Sequence, residues 1–133
     1  MIKKIDHVGL AVKSLDNALA FYRDILGIQP TSIEDYAPDK IRTAFLTVGD
    51  ASLEIMEPTS PDSPVAKFLE KRGEGMHHIS VEVDDIKAEL KRLEAKGVAL
   101  IDKEPRQGAH VIVAFVHPRS TGGVLLELSQ KPK

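Results

Sequence analysis

The chain has 133 residues and a mass of 14.6 kDa, with 42% hydrophobic residues and 18 Lys and Arg against 20 Asp and Glu for a net charge of −2. That size and balance suit one soluble domain, 1–133, with its own core, and exclude a disordered tail or a fibre. No apolar run approaches the roughly 18 residues of a membrane helix, and no basic excess points to nucleic acid. The start, Met1-Ile2-Lys3-Lys4-Ile5-Asp6-His7, lacks the apolar stretch of a secretory signal, so a cytoplasmic protein without membrane or nucleic-acid partners is expected. With no cysteine, any metal must be held by His and carboxylates.

The first expected strand, Asp6–Val12, alternates, with Val8, Leu10 and Val12 on one face and His7, Gly9 and Ala11 on the other. A helix follows over Leu15, Ala18, Leu19, Tyr22, Ile25 and Leu26, with Ser14 as N-cap and Gly27 as its stop. A loop containing Pro30 and Pro38 leads to strands Ile41–Val48 and Ser52–Met56, joined by a tight Gly49-Asp50 hairpin. A linker rich in Pro and Gly, Pro58–Gly75, contains a short helical stretch at Val65–Lys71. The pattern then returns: strand Ile79–Val83, a helix over Ile86, Leu90 and Leu93, and strands near Val111–Val116 and Gly123–Leu128. An offset of 71 carries His7 onto His78, Leu15 onto Ile86 and Leu19 onto Leu90. The fold class is therefore α+β: two βαββ-type modules, about 1–57 and 76–133, side by side.

Four polar residues stand out against this repeat. His7 and His78 lie on the strand faces opposite the apolar ones. Glu54 and Glu127 interrupt the apolar runs Leu53-Glu54-Ile55-Met56 and Val124-Leu125-Leu126-Glu127-Leu128. A buried carboxylate without a partner costs several kcal/mol, roughly. Any one strand His is more often a hydrogen-bonded structural residue than a ligand, and Glu54 alone could face solvent. Four such residues repeated at matching places favour a divalent metal site with positions open to water or substrate. His77 precedes the alternation and reads as a surface residue or as a support behind the ligands, and Lys87–Lys96 as a solvated helix face.

The segment Ile5-Asp6-His7-Val8-Gly9-Leu10-Ala11-Val12 and its echo His78-Ile79-Ser80-Val81-Glu82-Val83 resemble the paired modules of the vicinal oxygen chelate (glyoxalase-like) superfamily. Residues 63–78, the strand Leu53-Glu54-Ile55-Met56-Glu57-Pro58 and the segment His117-Pro118-Arg119-Ser120-Thr121-Gly122-Gly123 resemble the methylmalonyl-CoA epimerases within it. The resemblance implies βαβββ-type modules forming a curved mixed sheet around a metal site. It implies one divalent ion (Co, Ni, Zn or Mn) on His7, Glu54, His78 and Glu127, with Glu127 doubling as an acid/base. It also implies a CoA thioester substrate held with help from His110, Ser120 and Thr121, and a homodimer. Some epimerases carry Gln at the position of Glu54. The Glu here resembles the ligand set of glyoxalase I, which keeps a lactoylglutathione lyase or a non-catalytic binding protein of the same fold as alternatives. Epimerases reading Arg-Glu-Ala-Met-Leu use that Glu as a second base. Here the segment is Arg42-Thr43-Ala44-Phe45-Leu46, and Thr43 cannot serve near neutral pH. The second acid/base is left open, with His110 or a bound water as candidates.

Overall fold

A computed structural model describes residues 1–132, which divide into two compact units, 7–77 and 1–6 with 78–132. In the first unit, β1 (Ile2–Ala11, entering from the other unit at His7) pairs in parallel with β4 (Ala51–Pro58). Antiparallel pairing then adds β3 (Ile41–Val48) and β2 (Pro30–Tyr36), for the order β2-β3-β4-β1. The β3–β4 turn is the expected Gly49-Asp50, with Gly49 at φ 61° and Val48 facing Ala51. Helix α1 (Leu15–Tyr22) starts where Ser14 Oγ accepts from the Asn17 N–H at 3.1 Å. It lays Leu15 and Leu19 on Ala44, Leu46 and Ile55. Helix α2 (Pro64–Arg72), capped by Ser63 and ended by Gly73 at φ 76°, sets Val65 and Leu69 against Ala11, Ile41 and Met56. Those three residues share the His7 face of the strands, so α1 covers one face and α2 part of the other.

The second unit repeats the plan. Strand β5 (Gly75–Val83) pairs in parallel with β8 (Leu126–Gln130), and β7 (Ile112–Val116) and the two-residue β6 (Arg106–Gln107) follow antiparallel, in the order β5-β8-β7-β6. Helix α3 (Ile86–Ala95) begins at Asp85, whose side chain accepts from the Ala88 N–H, and buries Ile86 and Leu90 on Val83, Ala114, Val116 and Leu128. The matched pairs Leu15/Ile86 and Leu19/Leu90 are all buried.

Several expectations need correction. Residues 30–36 form a strand rather than a loop, because Pro30 occupies the first position of an edge strand, where its missing N–H is harmless. Pro38 lies in the short 3-10 turn Ala37–Asp39. Helix α1 stops before Ile25 and Leu26, which are exposed in the turn that Gly27 (φ 81°) completes. The last strand begins at Leu126 rather than Gly123, since Gly122 and Gly123 take left-handed backbone at φ 74° and 95°. Strand β6 is too short to leave a pattern. No helix of the described residues is long and apolar enough to cross a membrane.

Candidate metal centre and active site

In the first unit, register decides which side chains meet. Gly9 faces Glu54, which in turn faces Phe45 on β3, so His7, two residues before Gly9, shares their face. His7 is buried, and its Nδ1 lies 2.9 Å from Glu54 Oε2. The Glu57 side chain, on the opposite face of the same strand, accepts from the Leu15 N–H at 2.9 Å. That contact pins the start of α1 to the strand that carries Glu54.

The second unit holds the same arrangement. Ser80 faces Glu127, which faces Phe115 on β7, so His78, two residues before Ser80, shares that face. His78 and Glu127 are both buried, and the His78 ring meets Phe115 edge-on with centroids 5.9 Å apart. Arg106 lies over the same phenyl ring, 5.2 Å from its centroid. Gln130 Oε1 accepts from the Ile86 N–H at 2.8 Å, pinning α3 to β8 as Glu57 pins α1 to β4. Further along the face, Ser80 Oγ donates to Ser129 Oγ at 3.3 Å, and Glu82 pairs with Lys131 Nζ at 2.9 Å. The hydrogen bond from Lys131 is the main cause holding the Glu82 carboxyl below its ordinary range, against desolvation.

His7, His78 and Glu127 are each buried and each offers a nitrogen or carboxylate oxygen suited to a divalent ion, as does the partly exposed Glu54. The donor spacing around His7 fits such an ion. Ligand atoms of Asp6, His7 and Glu54 lie within 4.8 Å of one another, close enough for one ion to reach them.

The other anticipated residues are placed differently. Thr43 is buried on the His7 face, opposite Met56. His77 is half-buried with its ring against Phe68, centroids 4.8 Å apart, rather than a free surface residue. His110 is exposed, at φ 70°, in the turn where Gly108 N–H donates to the Val111 carbonyl, roughly 15 Å of strand from Phe115. Ser120 Oγ accepts from the Ala99 N–H at 2.9 Å, and Thr121 Oγ1 bonds the carbonyls of Pro118 and Val124, so both hydroxyls shape their own loop. The sequence reading overlooks Phe45 and Phe115 beside the glutamates, and Glu57 and Gln130. The signal for these last two is present: Glu54 and Glu57 recur at an offset of 73 as Glu127 and Gln130.

Residues 6–115 match the glyoxalase/bleomycin resistance protein/dioxygenase superfamily. The chain belongs to this superfamily. It has the vicinal oxygen chelate fold, and several of its relatives within the superfamily are methylmalonyl-CoA epimerases. It is 40% identical over 129 residues to the human mitochondrial methylmalonyl-CoA epimerase, covering 96% of this chain and 73% of the human one. It is 38% identical to the ethylmalonyl-CoA/methylmalonyl-CoA epimerase of Cereibacter sphaeroides, covering 98% and 99%. Among solved structures, a variant of the Streptomyces coelicolor methylmalonyl-CoA epimerase in complex with 2-nitronate-propionyl-CoA superposes with a TM-score of 0.92 at 36% identity, covering 98% of this chain and 96% of that one.

Proposed function

We propose that this protein is a methylmalonyl-CoA epimerase, an isomerase that interconverts the (R) and (S) forms by moving the proton at C2. The observation that carries the reading is the repeated register: a buried His and a Glu on one face, a Phe beside the Glu, in each unit. The epimerase relatives, which match essentially the whole chain, give the substrate class. The two modules act as one domain, and His7, Glu54, His78 and Glu127 hold one divalent ion, whose identity among Co, Ni, Zn and Mn this donor set leaves to supply.

The C2–H lies between a thioester carbonyl and a carboxylate, and is acidic for that reason. A bound divalent ion supplies Lewis-acid stabilisation to the oxygens on which charge develops. Glu127 takes the proton from C2 on its side, or returns it there. The C–H electron pair passes to the thioester oxygen, giving an enolate that is planar at C2. Inversion follows when the proton returns to the opposite face. Phe45 and Phe115 flank the glutamates with apolar surface that keeps water from the enolate. His110 and the Ser120–Thr121 loop hold the CoA thioester, with the Ser120 O–H, whose oxygen accepts from the Ala99 N–H, still able to donate, while the Thr121 hydroxyl is engaged within the loop. The protein works as a cytoplasmic homodimer.

The test is incubation of one enantiomer of methylmalonyl-CoA with ion-loaded protein in heavy water. The expected result is loss of optical activity together with deuterium at C2, and a substrate unchanged in both respects would refute the reading. Glu54 is the one residue favouring a glyoxalase-type lyase, and the hemithioacetal of methylglyoxal and glutathione is expected to remain unconverted.

A further inference from the structure

We propose that Glu34, on the edge strand β2, is the second acid/base of the reaction. The inference rests on the epimerase reading above. Inversion at C2 requires two groups able to exchange a proton, one for each face of the enolate. One is Glu127. The other must come from a titratable side chain that the fold presents on a ligand-bearing face, and the register of the first unit narrows the choice.

Glu34 faces Thr43 on β3, and Thr43 faces Met56 on β4. Ser32 faces Phe45, which faces Glu54. Partners across a ladder point to the same side of a sheet, so Ser32, Glu34 and Tyr36 share the face that carries His7 and Glu54. The other strand carboxylates of this unit point away: Asp35 is exposed on the reverse of β2, and Glu57 is committed to the start of α1. Among the described residues of β2–β4, Glu34 is therefore the one carboxylate on this face besides Glu54; on β1, Asp6 also brings a carboxylate oxygen within 4.8 Å of donor atoms of His7 and Glu54, but it is paired with Lys131 Nζ at 3.8 Å.

Its surroundings suit the role. Glu34 is half-buried although its strand is at an edge, and Ser32 Oγ donates to its Oε2 at 2.9 Å, which fixes the carboxylate's direction. Facing Cβ atoms across a ladder are about 5 Å apart. Thr43, the residue facing Glu34, is short and buried and carries no titratable group, so on this part of the face the carboxylate is supplied by β2 rather than by β3.

In one direction the C2–H bond breaks and an O–H bond forms on Glu34, with the electron pair passing to the thioester oxygen. A protonated Glu127 then delivers its proton to the other face of C2. The reverse direction exchanges the two roles, and solvent resets both carboxyls between turnovers.

The experiment compares the wild-type protein with Glu34→Gln, Glu34→Asp and the double change Glu34→Gln with Thr43→Glu, all loaded with the same ion. Each enantiomer of methylmalonyl-CoA is followed separately in heavy water, with ion content and melting temperature measured alongside. Glu34→Gln should lower kcat for epimerisation by about 10²–10⁴-fold, with KM, ion content and melting temperature held. Deuterium exchange should survive from the enantiomer that Glu127 deprotonates and vanish from the other. Glu34→Asp should retain part of the rate, and Thr43→Glu should restore activity to the Glu34→Gln protein by placing a carboxylate on the facing residue. Epimerisation by Glu34→Gln at the wild-type rate overturns the proposal, as does equal loss of exchange from both enantiomers. If Glu34→Gln fails to fold, the one-sided loss is read from Ser32→Ala, which removes only the orienting hydrogen bond, and symmetric exchange there overturns the proposal equally. A wild-type protein that epimerises neither enantiomer refutes the epimerase reading itself, an outcome distinct from an active wild type with an unimpaired Glu34→Gln.

Discussion

Glu54 and Glu127 occupy equivalent register positions, yet replacing each with Gln should damage different steps. Glu54 meets His7 Nδ1 at 2.9 Å, and its side chain is 21% exposed. Gln keeps the shape and a hydrogen-bonding oxygen but loses the charge. An amide oxygen is a poorer ligand for a divalent ion than a carboxylate, so the Gln variant should hold the ion more weakly, with kcat close to wild type once the ion saturates. Glu127 is buried beside Phe115, and the acid/base role proposed for it needs a group that takes a proton. Glu127→Gln can still offer an oxygen but cannot accept that proton, so kcat should fall about 10²–10⁴-fold, or about 2.7–5.5 kcal/mol of barrier, at any ion concentration. The assay is a titration of epimerase activity against added ion for each variant, with ion affinity measured by calorimetry. If both variants lose kcat equally at saturating ion, Glu127 is only a ligand and the division of labour is wrong.

Four further outcomes are expected. His7→Ala and His78→Ala should each weaken the ion sharply, and full occupancy of the double variant by elemental analysis would contradict the ligand assignment. Chelation should lower the melting temperature, because an ion bound only by the folded chain stabilises it by mass action; identical melting curves after confirmed ion loss would count against ion binding by the folded chain. Ile86→Ala should cost about 2–5 kcal/mol in denaturant unfolding, since Ile86 is fully buried against Val83, Leu128 and Ala114. Lys131→Met should cost about 1–2 kcal/mol at pH 7, between the values for exposed and buried pairs. The Glu82 carboxyl is held below its ordinary 4.5, chiefly by the Lys131 hydrogen bond, so its contribution is complete above that value and is lost as pH falls through the lowered one. Lys131 is held above its ordinary 10.5 by the same pair, so its contribution is complete below that value and fades at higher pH. The deficit of Lys131→Met should therefore be flat from about pH 5 to 10 and shrink toward acid; a deficit unchanged at pH 3 would refute this.

Much of this is legible in the chain because the physics is local. Strand alternation and helical stripes place His7, His78, Glu54 and Glu127 against apolar neighbours, where a polar residue is conspicuous. What escapes notice depends on partners distant in sequence. Strand β2 carries polar or small residues on both faces, so Thr31-Ser32-Ile33-Glu34-Asp35 reads as a loop until β3 supplies the pairing. Glu34 cannot be assigned to the His7 face without that register. The end of α1 escapes because Ile25 and Leu26 continue the helical stripe although the backbone turns before them. Phe45 and Phe115 look like ordinary core residues in sequence, and only cross-strand register sets them beside the glutamates.

The paired braces from Glu57 to Leu15 and from Gln130 to Ile86 bear on how such a module tolerates change. Each ties a helix start to the strand carrying Glu54 or Glu127, three residues beyond that glutamate, across 42 and 44 residues of chain. The glutamate's height along the sheet is thereby fixed from the helix side. The Gly49-Asp50 turn at the other end of β4 is left free of that duty. Insertions there lengthen the hairpin outward while Glu54 keeps its place. Length variation in a lineage of such proteins should accumulate at that turn, and the interval from glutamate to brace should stay at three.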